Sequence, residues 1–472
     1  MHGHALKLSQ LCCVLVTLAA VAPVLAAAPP SQAHLEPVLN AGINEPSALR
    51  FDWPMLRIGT GEYAEGPTGV TVIRFARPVS GAIDARGGGP GTVNPEFLQL
   101  GYDRPALDAI VFSGGSWYGL ETVTAVNTAF VDEGYRGGRW DNVGLVEGSI
   151  VYDLGSRRLN EIYPDKKLAQ AALRAVQPGV YPVGPYGAGR LVMTGAVFGC
   201  NTHSGQGGAF RQVGDLKIAA FTVVNAFGIV TDRDGRVPAC NRAPDWPAHL
   251  QAPELKAKDL MAEALTTRKE GWPPPPAPND ARRNTTISLV VVNQALAPWE
   301  LQRLAVQVHT SMGRAIQPFA TEYDGDVLYA VSTAELTPPE DQRISLVNLG
   351  LLAGEVMWDA VLSAAPQQPA MPVPVATAVA DAKTLNKYVG DYTFSQFATL
   401  TVTAADGKLF GRATGERDIY AIKTGAAVEL VPVNATDFTV PGRYPLLLRF
   451  DGKGVLTVNP GRWQQVTNKS RR

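Results

Sequence analysis

A pair of hydroxyl residues opens a run rich in β-branched residues. In "RRNTTISLVVVN" (Arg282–Asn293), Thr285 and Thr286 follow Asn284 and precede a stretch, Ile287–Val292, that is apolar except at Ser288. A hydroxyl is a weak nucleophile near neutral pH unless a base takes its proton. The histidines beyond the N-terminal segment, His34, His203, His249 and His309, are widely scattered. The chain could supply the base itself. If the Asn284–Thr285 bond is cut, the new α-amine, with a pKa of about 7.7–8.0, lies on the same residue as the hydroxyl. From these residues alone the plainer reading, a turn that opens a strand, is the stronger of the two. Asn284-Thr285-Thr286 also matches a glycosylation sequon.

Other chemistries find less support. HExxH, paired CxxC and EF-hand patterns are missing, so neither a metal nor a cofactor is expected. "GGSWYG" (Gly114–Gly119) fails as a nucleophile elbow because Tyr118 stands at the second glycine position, and "GPYGAG" (Gly184–Gly189) reads as a tight turn. With a formal net charge of −1 and no basic block, the chain has no footprint for nucleic acid. The first residues have a weakly positive start, an apolar stretch from Leu11 to Leu25 and small residues at Ala26–Ala28 and Ala33. That is the layout of a signal peptide, shorter than the roughly 20 apolar residues of a membrane span. Its removal would leave two cysteines, Cys200 and Cys240. In an exported compartment they either form a disulfide or remain buried thiols.

The elements that must hold Thr285 in place alternate between strand and helix. "GVTVIRF" (Gly69–Phe75) and "KIAAFTVVNAFGIV" (Lys217–Val230) read as strands, and "WYGLETVTAVNTAFVDEG" from Trp117 and "DKKLAQAALRAV" (Asp165–Val176) as helices. "GWPPPPAPNDARRN" (Gly271–Asn284) is a connector that can join neither a sheet nor a helix. A strand from Thr285, a helix with Pro298 near its start, the strand "DVLYAVST" and the helix "RISLVNLGLLAGEVMWDAVLSA" follow. A second connector, "APQQPAMPVPVATAVA" (Ala365–Ala380), leads into short alternating runs with Asp406-Gly407 and Asp451-Gly452 at turns. The pattern predicts a layered α/β unit followed by a small antiparallel β domain.

Seven motifs in order, "GPTGVTVIRF", "DARGGGPGT", "IVFSGGSWYGLETV", "SIVYDLG", "FTVVNAFGIV", "NTTISLVVVN" and "YDGDVLYAVST", resemble the self-processing N-terminal-nucleophile aminopeptidases. These are the DmpA-type L-aminopeptidase/D-esterases, the β-aminopeptidases and the nylon-oligomer endohydrolases. The resemblance implies a four-layer αββα sandwich and self-cleavage between Asn284 and Thr285. Thr285 would then attack a small peptide, amide or ester. Asn225 would donate to the oxyanion with Tyr152 beside it, and Asp324 and Asp326 would contact the nucleophile. The two fragments would stay associated in a homo-oligomer, usually a tetramer. In one place the chain departs from the pattern: Cys200 stands where a lysine is frequent, and Gln206 where basic residues are frequent. That departure keeps a non-catalytic exported binding protein as one rival reading; endo-cleavage of amide oligomers is another. The tail, opening with "YVGDYTF", resembles the β domain that follows β-lactamase-like hydrolases.

The expected organisation is a signal peptide over 1–28, with cleavage as late as 33, then one hydrolase domain formed by 35–284 and 285–364. A Pro/Ala linker over 365–383 and a β domain over 384–472 complete it. Export to the periplasm or medium is expected.

Overall fold

Strand β1 (Leu56–Tyr63) turns directly into β2 (Thr68–Ala85), an 18-residue strand that serves two sheets. The computed structural model describes residues 32–100, 105–241, 251–254, 256, 284–365, 382–440 and 445–470. The expected signal peptide, the proline run and most of the Pro/Ala linker lie outside the described residues. The chain divides into residues 1–34, described only as a short 3-10 turn at Gln32–His34, and one unit over 35–472.

The first half of β2 pairs with β1 on one side and β3 (Leu107–Ser113) on the other, Ile73 lying opposite both Ile58 and Ile110. β4 (Leu145–Ile150) runs parallel to β3. Register breaks between Arg74 and Val79, where Ala76 and Arg77 are exposed and Pro78 has no N–H to give. Beyond that break the second half of β2 joins another sheet.

That sheet contains β5 (Gln206–Val213), β6 (Leu216–Asn225), β7 (Thr285–Gln294) and β8 (Val327–Leu336), in the order β5-β6-β7-β8-β2. β7 pairs antiparallel with β6 and parallel with β8, and all ten of its residues are buried. Both of its faces are covered, so Ile287 and Leu289–Val292 are apolar on either face and do not alternate with exposed polar residues. Ile287, Leu289 and Val291 point into the core between the sheets, while Val290 and Val292 pack beneath helices.

Helices α1 (Glu121–Asp132) and α2 (Lys166–Arg174) cover the first sheet through Val126, Phe130, Leu168 and Leu173. Helices α3 (Pro298–Ser311) and α4 (Leu346–Ser363) cover the second through Leu304, Val308, Leu349 and Met357. The result is helix, sheet, sheet, helix: the four-layer αββα sandwich that the resemblance implies. Asp165 caps α2 by accepting the Leu168 N–H at 3.0 Å, and Ser345 caps α4 by accepting that of Asn348 at 3.3 Å. The helix read from Trp117 begins four residues later, because Gly115 (φ 79°) and Ser116 (φ 54°) turn the chain into a 3-10 stretch first.

Eight strands follow α4: Gly390–Ser395 (β9), Ala398–Ala405 (β10), Lys408–Gly415 (β11), Val428–Pro432 (β12), Asp437–Thr439 (β13), Leu448–Phe450 (β14), Val455–Val458 (β15) and Gln465–Asn468 (β16). Each pairs antiparallel with the next. The last returns to the first, Lys469 bridging Tyr392 and the Ser470 N–H donating to Asp391 O at 2.7 Å, so the sheet nearly closes into a barrel. Asp406 (φ 50°) and Gly407 (φ 73°) make the tight turn between β10 and β11.

The barrel is fastened to the sandwich by charge. Glu62 is wholly buried in β1; it binds Arg190 and accepts Arg462, from the β15–β16 turn, through both carboxylate oxygens at 2.7 Å. The Arg462 guanidinium also lies 4.2 Å from the Tyr186 ring centre, and Trp463 stacks on buried His203 at 4.2 Å. The "GPYGAG" turn, left-handed at Gly184 and Gly187, is thus the landing place of the barrel.

Candidate active site

Thr285 is the first residue of β7, in the middle of the second sheet, and Asn225, the last of β6, is its cross-strand partner. Directly opposed residues of antiparallel strands hold their Cβ atoms about 4.5–5.5 Å apart. Thr285 shares the parity of Ile287 and Leu289, and Asn225 that of Phe221 and Val223, so both face the layer between the sheets. Both are buried.

The other neighbour of β7 brings the acidic pair. Asn284 bridges Asp324 in parallel register; its carbonyl accepts the Gly325 N–H at 2.9 Å and the Thr285 hydroxyl itself. Asp326 accepts the Thr286 N–H at 2.5 Å and the Ala320 N–H at 2.9 Å. Asp324 accepts the Phe227 N–H at 3.0 Å and the Thr321 hydroxyl at 2.5 Å. Burial raises the Asp324 pKa above the usual carboxylate range. Burial first, and then the charge of Asp324, push that of Asp326 well up. Two carboxyls sharing so dry a site favour holding a proton between them.

The glycines of "DARGGGPGT" explain how the acids are held. A Cβ on Gly87 would sit 2.2 Å from Asp326 N, and one on Gly325 would sit 2.9 Å from the Thr285 hydroxyl and 2.6 Å from Gly89 O. Gly89 N–H donates to Asp324 O at 3.0 Å, and Gly87 N–H to Asp326 O at 3.2 Å. Backbone approaches backbone here, and only glycine leaves the room.

Tyr152 follows β4 and is half-buried; its carbonyl accepts Nδ2 of Asn225 at 3.1 Å. Sequence reasoning missed Arg157, whose Nη2 donates to Oδ1 of Asn225 at 3.0 Å and also binds the Tyr152 carbonyl. Arg157 in "DLGSRR" carried no local signal for this role, since Asn225 lies 68 residues away. The neighbouring Arg158 is wholly buried and paired with Asp153 at 2.6 Å; Asp153 also accepts the Gly115 N–H at 2.8 Å and so pins the "SGGS" turn. The fragment that looks like an elbow is therefore a packing turn.

Cys200 is joined to Cys240 by a disulfide and packs with Ile229 and Ala252, while the Gln206 amide is committed to Thr71 and the Pro182 carbonyl. Neither position offers a cation. His309 is also accounted for: it is a buried residue of α3 itself, with Nδ1 at 2.9 Å from Asp84. Among the described residues no cluster of His, Cys, Asp and Glu could hold a metal.

Tyr152 also edges a cleft of about 510 Å³ whose far wall is the barrel: Leu154, Gly155 and Ser156 lie on one side, and Glu416, Arg417, Asp418 and Thr424 on the other.

Comparison with known proteins places this geometry in a family. The chain is 40% identical over 340 residues to a 6-aminohexanoate-oligomer endohydrolase of Kocuria sp., covering 70% of this chain and 89% of that one. It is 39% identical over 338 residues to the enzyme of the same name from Paenarthrobacter ureafaciens, covering 70% and 88%. Among solved structures, the L-aminopeptidase D-Ala-esterase/amidase of Ochrobactrum anthropi aligns over 68% of this chain and 86% of its own, at a TM-score of 0.46 and 17% identity. The model of peptidase family S58 matches residues 51–391, leaving nearly all of the barrel outside the match. The chain belongs to peptidase family S58 and is a hydrolase of peptide or amide bonds.

Proposed function

We propose that this protein is made as one polypeptide, cuts itself between Asn284 and Thr285, and then hydrolyses internal amide bonds of oligomeric substrates. The observation that carries the reading is the Thr285 hydroxyl bound to the carbonyl of the preceding residue, which also receives the Gly325 N–H at 2.9 Å. In the self-cleavage step Oγ1 bonds to the Asn284 carbonyl carbon. The C–N bond breaks, the proton of the hydroxyl passes to the departing nitrogen, and an ester remains. Gly325 N–H donates to the oxygen that carries the transient negative charge. Water then hydrolyses the ester, which frees the Asn284 carboxylate and leaves Thr285 with an amine beside its hydroxyl.

In substrate turnover the same hydroxyl attacks an amide carbonyl. The α-amine takes the proton and returns it to the leaving nitrogen, and the Asn225 amide beside Tyr152 stabilises the oxyanion. The acidic pair holds the backbone of Thr286 and the 320–326 turn, and so sets the position of the nucleophile. Identities of 39–40% to endohydrolases of an amide oligomer, with a cleft of about 510 Å³ beside Tyr152, favour attack within a chain over removal of its end.

Two further parts of the reading extend beyond the site. The Cys200–Cys240 bond suits an oxidising compartment and supports export, with residues 1–28 as the signal. Trp299, Val347 and Leu351 are exposed apolar residues on the outer helices and support association into a homo-oligomer.

The test is denaturing electrophoresis with N-terminal sequencing, followed by digestion of an oligoamide blocked at its amino end. The reading expects a fragment beginning at Thr285 and products of several intermediate lengths. A fragment beginning elsewhere would move the cut. Inertness toward the blocked oligomer, with activity on the unblocked one, would make the enzyme an aminopeptidase.

A further inference from the structure

Asn225 can donate to an oxyanion only if its amide is turned the right way, and the structure contains a device that turns it. Oδ1 accepts two donors, the Met193 N–H at 3.2 Å and Nη2 of Arg157 at 3.0 Å. A backbone N–H and a guanidinium can only donate, so the oxygen must face them, and Nδ2 is left to donate elsewhere, as it does to the Tyr152 carbonyl at 3.1 Å. The positive charge on the oxygen side also draws electron density through the amide, which strengthens its N–H groups as donors.

Arg157 is in turn held from outside the family match. Gln465, the first residue of β16 and buried, donates from Nε2 to the Arg157 carbonyl at 2.8 Å and accepts the Leu159 N–H at 2.8 Å through Oε1. The Tyr420 N–H donates to the Ser156 carbonyl at 3.0 Å. Three hydrogen bonds from the barrel thus fix the backbone of residues 156–159, and the Arg157 guanidinium reaches the end of β6.

We propose that Arg157 is a positioning residue for the oxyanion donor Asn225, and that the C-terminal barrel, through Gln465, is a working part of the active site. The inference rests on the assignment of Asn225 as that donor. Through this relay the barrel acts on the rate of the chemical step, because the relay ends on a group whose bond strengthens as the oxyanion forms.

The experiment is steady-state kinetics on a soluble oligoamide, with kcat expressed per cut nucleophile. Arg157→Ala should lower kcat about 30-fold with KM within about 3-fold, and millimolar guanidinium should restore part of the loss without affecting the wild-type enzyme. In an Asn225→Ala background, Arg157→Ala should cost less than about 2-fold more, because the group it positions is gone. Wild-type kcat in Arg157→Ala, no response to guanidinium, or full additivity of the two losses would each overturn the assignment. If Arg157→Ala remains wholly uncut, the readout becomes cutting of the precursor: its return on addition of guanidinium supports the assignment, and its failure to return overturns it. Gln465→Met, which keeps volume and removes both hydrogen bonds, should lower kcat about 3- to 10-fold at unchanged KM; an unchanged kcat removes the barrel from the mechanism. Full activity of Asn225→Ala would instead sink the underlying reading of the site.

Discussion

The nucleophile strand and the C-terminal barrel meet at one loop, residues 152–159, yet they are built on opposite principles. Around Thr285 the site is assembled from backbone: glycines at 87, 89 and 325, strand register, and two carboxyls that accept main-chain N–H groups. At the barrel seam the attachment is made by long side chains: Arg462 on Glu62, Trp463 on His203, Gln465 on Arg157 and Leu159. A backbone-built site tolerates almost no substitution, whereas a side-chain seam can be weakened by degrees. The two also respond oppositely to acid. Asp326 has a raised pKa, so its contribution to stability is present below about pH 3.9 and is lost as pH rises through the folded-state value. Burial, helped by the charge of Arg157, pushes His203 down to about 3. Its contribution is present above its unfolded value of about 6.5 and is lost as pH falls toward 3.

The contrast can be broken first at the nucleophile. Thr285→Ala should leave a folded, uncut chain with amide hydrolysis reduced by about 10⁴-fold or more, read by electrophoresis and product release. Gly325→Ala comes next. Its Cβ would press on both the Thr285 hydroxyl and Gly89 O, so cutting should slow by about 100-fold or more on a time course of the precursor, with the barrel unaffected.

At the seam the effects should be smaller and should appear as stability. Arg462→Ala leaves Glu62 buried with Arg190 and the Gly187 N–H, and removes the cover on Tyr186. Denaturant unfolding should show a loss of about 2–4 kcal/mol, and limited proteolysis should release the barrel first. A loss of cutting as large as that of Gly325→Ala would erase the distinction between the regions. The smallest effect is expected of His203→Phe. It keeps the stacking on Trp463 and removes a titrating group, so the fall in melting temperature between pH 6.5 and pH 4 should flatten while the value at pH 8 changes little.

Much of the nucleophile region was legible from residue types. The run after Thr285 is buried on both faces, and its apolar residues Ile287 and Leu289–Val292 carry that signal. "DARGGGPGT" and "YDGD" stood out only through the resemblance, and nothing in either motif revealed that their backbones approach each other. The alternation and Asp-Gly turns of the tail announced an antiparallel β unit, but nothing in them indicated where it docks. The helix from Trp117 was placed too early because left-handed backbone at Ser116 is imposed by Asp153 and is not encoded in the local pattern.

Composition and spacing alone therefore determined the element types and the absence of any metal-ligand motif, because these depend on period, turn chemistry and the residues at hand, while the candidate cut at Asn284–Thr285 rested on the resemblance. Only the tertiary structure decided which groups complete the site. Arg157 finds Asn225 across 68 residues, and Arg462 finds Glu62 across 400. A hydrogen bond or an ion pair forms at about 3 Å wherever packing brings donor and acceptor together, and distance along the chain carries no trace of it.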